Sequence, residues 1–255
     1  SSLAATDRVV YPNYEPLIAL AAVAGATVRV RLMTAVLLAP IRNVGVLAKQ
    51  VASLDSISGG RLTLGLGVGG REDDFRAAPA SYSDRGKRFE DQLAIMKRIW
   101  AGEPIAEGVG PIGPPPKQKG GPEILLGAVT PIAIRRISRW ADGLLATPAT
   151  TERIREHYSL TEKYWKEAGR SGKPRLVSMR FYALGPNAAE RGLAKIRHYY
   201  SFAGARAESI AQPILDTPHA VREAIKEYSA IGLDELILSP TVAEIDQVDR
   251  LAETI

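Results

Sequence analysis

Four glycines close an otherwise apolar run, LTLGLGVGGRE at residues 62–72. Glycine weakens a strand interior, because it packs no side chain and loses the most backbone entropy. Side chains two apart share a face of a strand. Leu62, Leu64, Leu66 and Val68 therefore point one way, and Thr63, Gly65, Gly67 and Gly69 the other. Three glycines on one face leave a slot that widens toward the strand's C-terminal end, where a flat ligand would fit. A bulge or a closely approaching element explains the same glycines. A dinucleotide fingerprint fits poorly, since the segment reads G-L-G-V-G-G and no helix pattern follows directly.

A second place for chemistry is LLGAVTPIA, residues 125–133. A strand pattern ends at Gly127 and a helix pattern opens at Thr130-Pro131. Free N–H groups and a threonine hydroxyl at a helix start suit an anion, although a plain N-cap uses the same residues. ATPATT at 146–151 offers hydroxyls best read as capping. Asp55 and Arg61 flank the turn at 56–60 and are expected to pair across it. The stretch Tyr199-Tyr200-Ser201-Phe202 suits either a ligand or an interface.

These stretches need a scaffold. Continuous apolar runs at 28–38, 62–68, 123–127, 143–146, 176–184 and 235–238 read as parallel strands buried on both faces. Helical patterns fit 15–24, 44–57, 83–100, 130–141, 151–168, 188–200, 218–231 and 241–254. Thr130-Pro131 and Thr217-Pro218 mark helix starts, Thr241-Val242-Ala243-Glu244 reads as a capping box, and Gly232 reads as a C-cap. Strict alternation of strand and helix predicts an α/β fold with a parallel sheet. Six strands fall short of a closed (β/α)8 barrel, so either the sheet is open or one β-α-β unit precedes Ser1. Residues 102–122, with six prolines and six glycines, read as a loop excursion over the rim. Residues 203–217 read as a second loop. The whole chain, 1–255, reads as one domain.

Composition narrows the field. The 255 residues include no cysteine and three scattered histidines, which argues against disulfides and a metal site. The net charge of +5 is spread among acidic neighbours, unlike the basic face of a nucleic-acid binder. No apolar run is long enough for a membrane span, and cytoplasmic residence is the expectation.

LAKQVASLDSISGGRLTLGLGVGGREDDF at 47–75 resembles the signature of the bacterial luciferase-like monooxygenases. RGKRFEDQLAIMKRIWAGEP at 85–104, RRISRWADGLLA at 135–146 and GLDELILSP at 232–240 are similar to further stretches of that family, in the same order. The resemblance implies a (β/α)8 TIM barrel lacking its first β-α-β unit here, with residues 1–16 similar to the loop after strand two. It implies an oxidoreductase that binds FMN or coenzyme F-420, an 8-hydroxy-5-deazaflavin, at the C-terminal mouth, together with a small-molecule substrate. Thr34, Ala35 and Val36 match a strand end where the family often carries a non-prolyl cis peptide under the ring. Gly67, Val68 and Gly69 would face the cofactor. Gly127, Ala128, Val129 and Thr130 match the loop that binds the phosphate tail. Light-emitting members carry an arginine where this chain has Val68, which favours the deazaflavin, or FMN held differently. A homo-oligomer is common in the family. Catalytic residues are not assigned. Two other readings stay open: a non-catalytic flavin-binding homologue, and a flavin-free phosphate-binding barrel enzyme.

Overall fold

The structure is a computed structural model and describes residues 1–204 and 214–255. The chain forms two compact units, Ser1–Leu145 with Thr161–Pro174, and Ala146–Leu160 with Arg175–Ile255.

The first unit is built on a parallel sheet. Its elements are β1 (Ser2–Ala5), α1 (Pro16–Ala26), β2 (Arg31–Thr34), β3 (Leu37–Leu38), α2 (Val44–Ile57), β4 (Leu62–Gly67), α3 (Glu72–Ala77), α4 (Arg85–Trp100), β5 (Glu123–Leu126), α5 (Pro131–Trp140) and β6 (Gly143–Ala146). The strands lie in the order β1-β2-β4-β5-β6, and β3 pairs with the end of β4. Every residue of β4 is buried, as expected of a strand covered on both faces. Local chemistry fixes the helix ends. Glu15, Asn43 and Thr130 each accept a hydrogen bond from the N–H three residues on. Burial of Phe89, Leu93, Met96 and Trp100 holds one stripe of α4 against the core.

Several expectations change here. Residues 2–5 form a strand paired with β2, not part of a loop. The apolar run at 28–38 is interrupted, giving β2 and β3. A short helix, α3, follows the glycine-rich stretch. Asp55 and Arg61 do not pair with each other. Arg61 spends its guanidinium on the carbonyls of Ala24, Thr27, Val30 and Ser58, which caps the open C-terminal end of α1. Asp55, fully buried, instead accepts from the backbone N–H and side-chain amide of Gln118, at 2.8 and 2.6 Å. That bond redefines the proline-rich loop. Ile112 lies against Gly45 near the start of α2, Lys49 Nζ reaches the Gly113 carbonyl at 2.8 Å, and Gln118 docks near the end of α2. The loop runs along α2 and not over a rim.

The second unit pairs β7 (Arg175–Tyr182) with β8 (Glu235–Pro240) in parallel, with α7 (Ala188–Tyr199), α8 (Pro218–Ala230) and α9 (Asp246–Ala252). The remaining helix, α6, spans Thr151–Glu167. Tyr182, Leu184, Leu215, Val221 and Ala224 form a buried cluster. Thr217 caps α8 as expected, and Gly232 takes a φ of +78° after it. The expected capping box at Thr241 does not form. Its hydroxyl donates to the Tyr182 carbonyl, and the last helix starts only at Asp246. Of the expected loop at 203–217, residues 205–213 lie outside the described residues.

Candidate functional site

The three stretches singled out in the first unit converge at the C-terminal ends of its strands. Leu66 and Gly67 pair with Leu37 and Leu38, and the Gly127 N–H donates to the Leu66 carbonyl at 2.8 Å. The segment between β2 and β3, Thr34-Ala35-Val36, lies across these ends. Its Ala35–Val36 peptide is cis. Ala35 N–H donates to the Ala5 carbonyl at 2.8 Å, and Thr34 Oγ1 donates to the Gly65 carbonyl at 2.7 Å.

This arrangement corrects the idea of an empty slot. A Cβ on Gly65 would stand 1.9 Å from the Thr34 carbonyl oxygen. One on Gly67 would stand 2.7 Å from Val36 Cγ2, and one on Gly127 would stand 3.2 Å from Val36 Cγ1. The glycines are missing side chains because backbone and a valine already occupy the space. The isopropyl group of Val36 is seated on two glycines from neighbouring strands. Gly69 serves a different purpose. Its φ of +78° turns the chain out of β4, and its α-carbon backs onto the Phe75 ring.

What remains accessible is apolar and uncharged. Val36, Val68, Gly69 and Gly127 are half-buried, and Val129 and Thr130 are exposed. Thr34, Ala35, Gly67 and Ala128 are buried beneath them. Thr130 begins α5 with its hydroxyl accepting from Ala133 N–H at 3.3 Å. A planar aromatic group fits an apolar floor of this kind. At the start of α5 Pro131 has no N–H and that of Ala133 goes to the Thr130 hydroxyl, which leaves the Ile132 N–H for an anion. Of the ten residues expected to hold a cofactor, Val36 lies against both Gly67 and Gly127.

Neighbouring groups fix this floor, and sequence reading missed them. Arg85 Nε donates to the Gly69 carbonyl at 3.1 Å, and its guanidinium lies 3.7 Å from the Tyr82 ring centroid. Tyr82 packs edge-on to Phe75 at 5.2 Å and donates to the Gly70 carbonyl at 3.2 Å. Asp7, nearly buried, accepts from Leu38 N–H at 2.9 Å and from Arg42 Nη2 at 2.8 Å. Arg42 also pairs with Glu15 at 2.8 Å. Arg8 pairs with Asp73 at 2.5 Å. Burial pushes the Asp73 carboxyl up, but the Asp74 N–H and the Arg8 guanidinium outweigh it and hold it below the ordinary aspartate range. The acidic and basic partners of this set are 27 to 65 residues apart in sequence, so no local motif announces them. Among the described residues, no group of His, Asp and Glu could hold a metal ion, and no helix is long and apolar enough to cross a membrane.

An uncharacterized protein of Mycobacterium tuberculosis is 31% identical over 172 residues, 65% of this chain and 61% of that one. The match therefore spans about three fifths of the curated relative's length. A phthiodiolone/phenolphthiodiolone dimycocerosates ketoreductase of Mycobacterium tuberculosis is 35% identical over 141 residues, 51% of this chain and 36% of that one. Among solved structures, a monooxygenase from Streptomyces bottropensis superposes with a TM-score of 0.76 at 24% identity, covering 99% of this chain and 84% of that one. An F-420-dependent secondary alcohol dehydrogenase, in complex with an F-420–acetone adduct, superposes with a TM-score of 0.81 at 15% identity, covering 100% and 89%. At these identities the structural likeness shows the fold, which is the luciferase-like (β/α)8 class. The profile of the luciferase-like monooxygenases matches residues 2–253, nearly the full length of the chain. The chain belongs to the luciferase-like monooxygenase family.

Proposed function

We propose that this chain belongs to an oxidoreductase that binds coenzyme F-420 or FMN at the strand ends 34–36, 67–69 and 127–130, with the deazaflavin preferred. The observation that carries the reading is the seating of Val36 on Gly67 and Gly127. It builds a fixed apolar floor beside a helix start, the two features that a planar ring with an anionic tail requires. Val68 stands where light-emitting relatives place an arginine for the FMN phosphate, and this supports the deazaflavin.

Val36 excludes water from one face of the ring and sets its depth. The Gly69 carbonyl, fixed by Arg85, bounds the ring edge. The Thr130 hydroxyl, as a donor, and the Ile132 N–H bind the anionic tail, since Pro131 has no N–H and that of Ala133 goes to Thr130. When bound, a deazaflavin exchanges hydride with a substrate carbon, whereas FMN adds oxygen chemistry. The protein supplies position and a dry surface.

Parallel titration of the full-length protein with coenzyme F-420 and with FMN tests this. Saturable 1:1 binding of one of them, with F-420 the tighter, is the expected result. Tight binding of FMN alone would overturn the preference, and binding of neither would overturn the reading.

A further inference from the structure

The start of α4 gathers positive charge that folding alone does not explain. Arg85, Lys87 and Arg88 open the helix, and its first turn holds no acidic residue. Asp84, at the capping position, bonds no helix N–H and gives its carboxylate to Arg88. A further cation arrives from α5. A Cβ added to Gly86 would lie 3.1 Å from Arg136 Nη2.

Arg136 differs from the guanidiniums around it. Arg85 donates to the Gly69 and Tyr82 carbonyls, Arg88 to Asp84 and the Pro40 carbonyl, and Arg139 to Glu90. Arg136 makes no hydrogen bond among the described residues, although its side chain is only 16% exposed. Its Nε is shielded from solvent and stands 3.6 Å from Glu90 Oε2, beyond hydrogen-bond reach. The other Glu90 oxygen is taken by Arg139 and Trp140.

A guanidinium withdrawn from water without hydrogen bonds costs free energy, and the positive end of a helix dipole repels it. An anion seated here removes both costs. Position says which anion. Arg136 lies four residues past Ile132 on α5, on the same face and about 6 Å along the axis, and helical side chains lean back toward the N-terminus. On its other side, Gly86 follows Arg85, whose Nε holds the Gly69 carbonyl. Arg136 therefore stands one helical turn beyond the N–H assigned to the cofactor's anionic tail.

We propose that Arg136 binds a carboxylate of the γ-linked glutamate chain that coenzyme F-420 carries beyond its phosphate. This rests on the proposed function and gives it a selectivity. FMN ends at its phosphate, so only the deazaflavin coenzyme has an anion to offer at Arg136.

The test measures dissociation constants on the full-length protein for coenzyme F-420, for FMN, and for 8-hydroxy-5-deazariboflavin, which lacks both phosphate and glutamates. Arg136→Gln gives up no hydrogen bond and keeps the fold, as circular dichroism will show. It weakens coenzyme F-420 about tenfold, the worth of a charge-assisted hydrogen bond, and leaves the other two ligands within about twofold. Arg136→Lys, which keeps the charge but not the fork, falls between native and Gln. In a second measurement γ-glutamylglutamate alone is titrated against sodium chloride of equal ionic strength. The dipeptide shifts the Gly86 and Lys87 amides of the native protein and not those of Arg136→Gln. Unchanged affinity for coenzyme F-420 in Arg136→Gln overturns the proposal, as does an equal loss for FMN, or a dipeptide that leaves the two amides unmoved. If neither cofactor binds, the functional reading falls, while the dipeptide titration still decides whether Arg136 holds a carboxylate.

Discussion

Adding a single methyl at three glycines should produce three different outcomes, graded by what that methyl meets. At Gly127 it would meet Val36 Cγ1 at 3.2 Å, so the valine need yield only a few tenths of an ångström. At Gly67 it would meet Val36 Cγ2 at 2.7 Å, which asks for a shift of about 1 Å to restore ordinary carbon contact. At Gly65 it would meet the Thr34 carbonyl at 1.9 Å, where no side chain can swing aside. The expected losses are below about 1 kcal/mol for Gly127→Ala and about 1–3 kcal/mol for Gly67→Ala. For Gly65→Ala the loss is about 4 kcal/mol or more, at the extreme of single substitutions. Val36→Ala separates the causes, since it removes both methyls that face Gly67 and Gly127 but leaves Thr34 in place. In a double-mutant cycle it should recover about 1–2 kcal/mol of the Gly67→Ala loss, and combine additively within about 0.5 kcal/mol with Gly65→Ala. Equilibrium urea unfolding followed by far-UV circular dichroism measures all six variants. Additive losses at Gly67, or a rescue at Gly65 as large as that at Gly67, would refute the assignment of Val36 as occupant of the glycine face.

Two further outcomes follow from charged groups. Removing the side chain of Gln118 by Gln118→Ala leaves one Asp55 oxygen without its 2.6 Å donor, and should cost about 1–3 kcal/mol and open residues 102–110 to limited proteolysis; an unchanged digestion pattern contradicts the docking of this loop on α2. The Asp73 carboxyl is held below its ordinary range, so its bond to Arg8 contributes stability that is complete above the unfolded aspartate pKa near 4 and is lost as pH falls through the lower folded value. The Asp74 N–H donates to Asp73 Oδ1 at 2.9 Å, so its hydrogen exchange should be unchanged from pH 7 to 5 after correction for intrinsic rates, and accelerate below about pH 4; acceleration already between pH 7 and 5 would exclude Asp73 as the cause.

Much of the fold could be read from the chain because its signals are local. Thr130 and Thr217 are capped by the N–H three residues on, and the apolar stripe of α4 repeats within one helix. Thr241 misled for a physical reason. Its hydroxyl donates to the Tyr182 carbonyl, a partner that no spacing rule reveals, and the helix begins only at Asp246, so no N–H stands where a cap would accept it. The break at 35–36 carries no proline or glycine within the 28–38 run, so the run reads as one strand. The glycines of β4 correctly marked a face without side chains, but a period of two says nothing about what fills that face. Close approach of Thr34 and Val36 and arrival of a ligand leave the same sequence trace. The acidic and basic groups that steady the site, Asp7 with Arg42 and Arg8 with Asp73 and Asp74, are joined only by folding.

Mapping which backbone amides respond to cofactor tests the central claim most directly. In heteronuclear NMR spectra of the full-length protein titrated with coenzyme F-420, the largest shifts should fall at residues 34–36, 67–69 and 127–130 and saturate together. Saturable binding whose shifts cluster elsewhere, leaving Val36, Gly67 and Gly127 unmoved, would contradict the account.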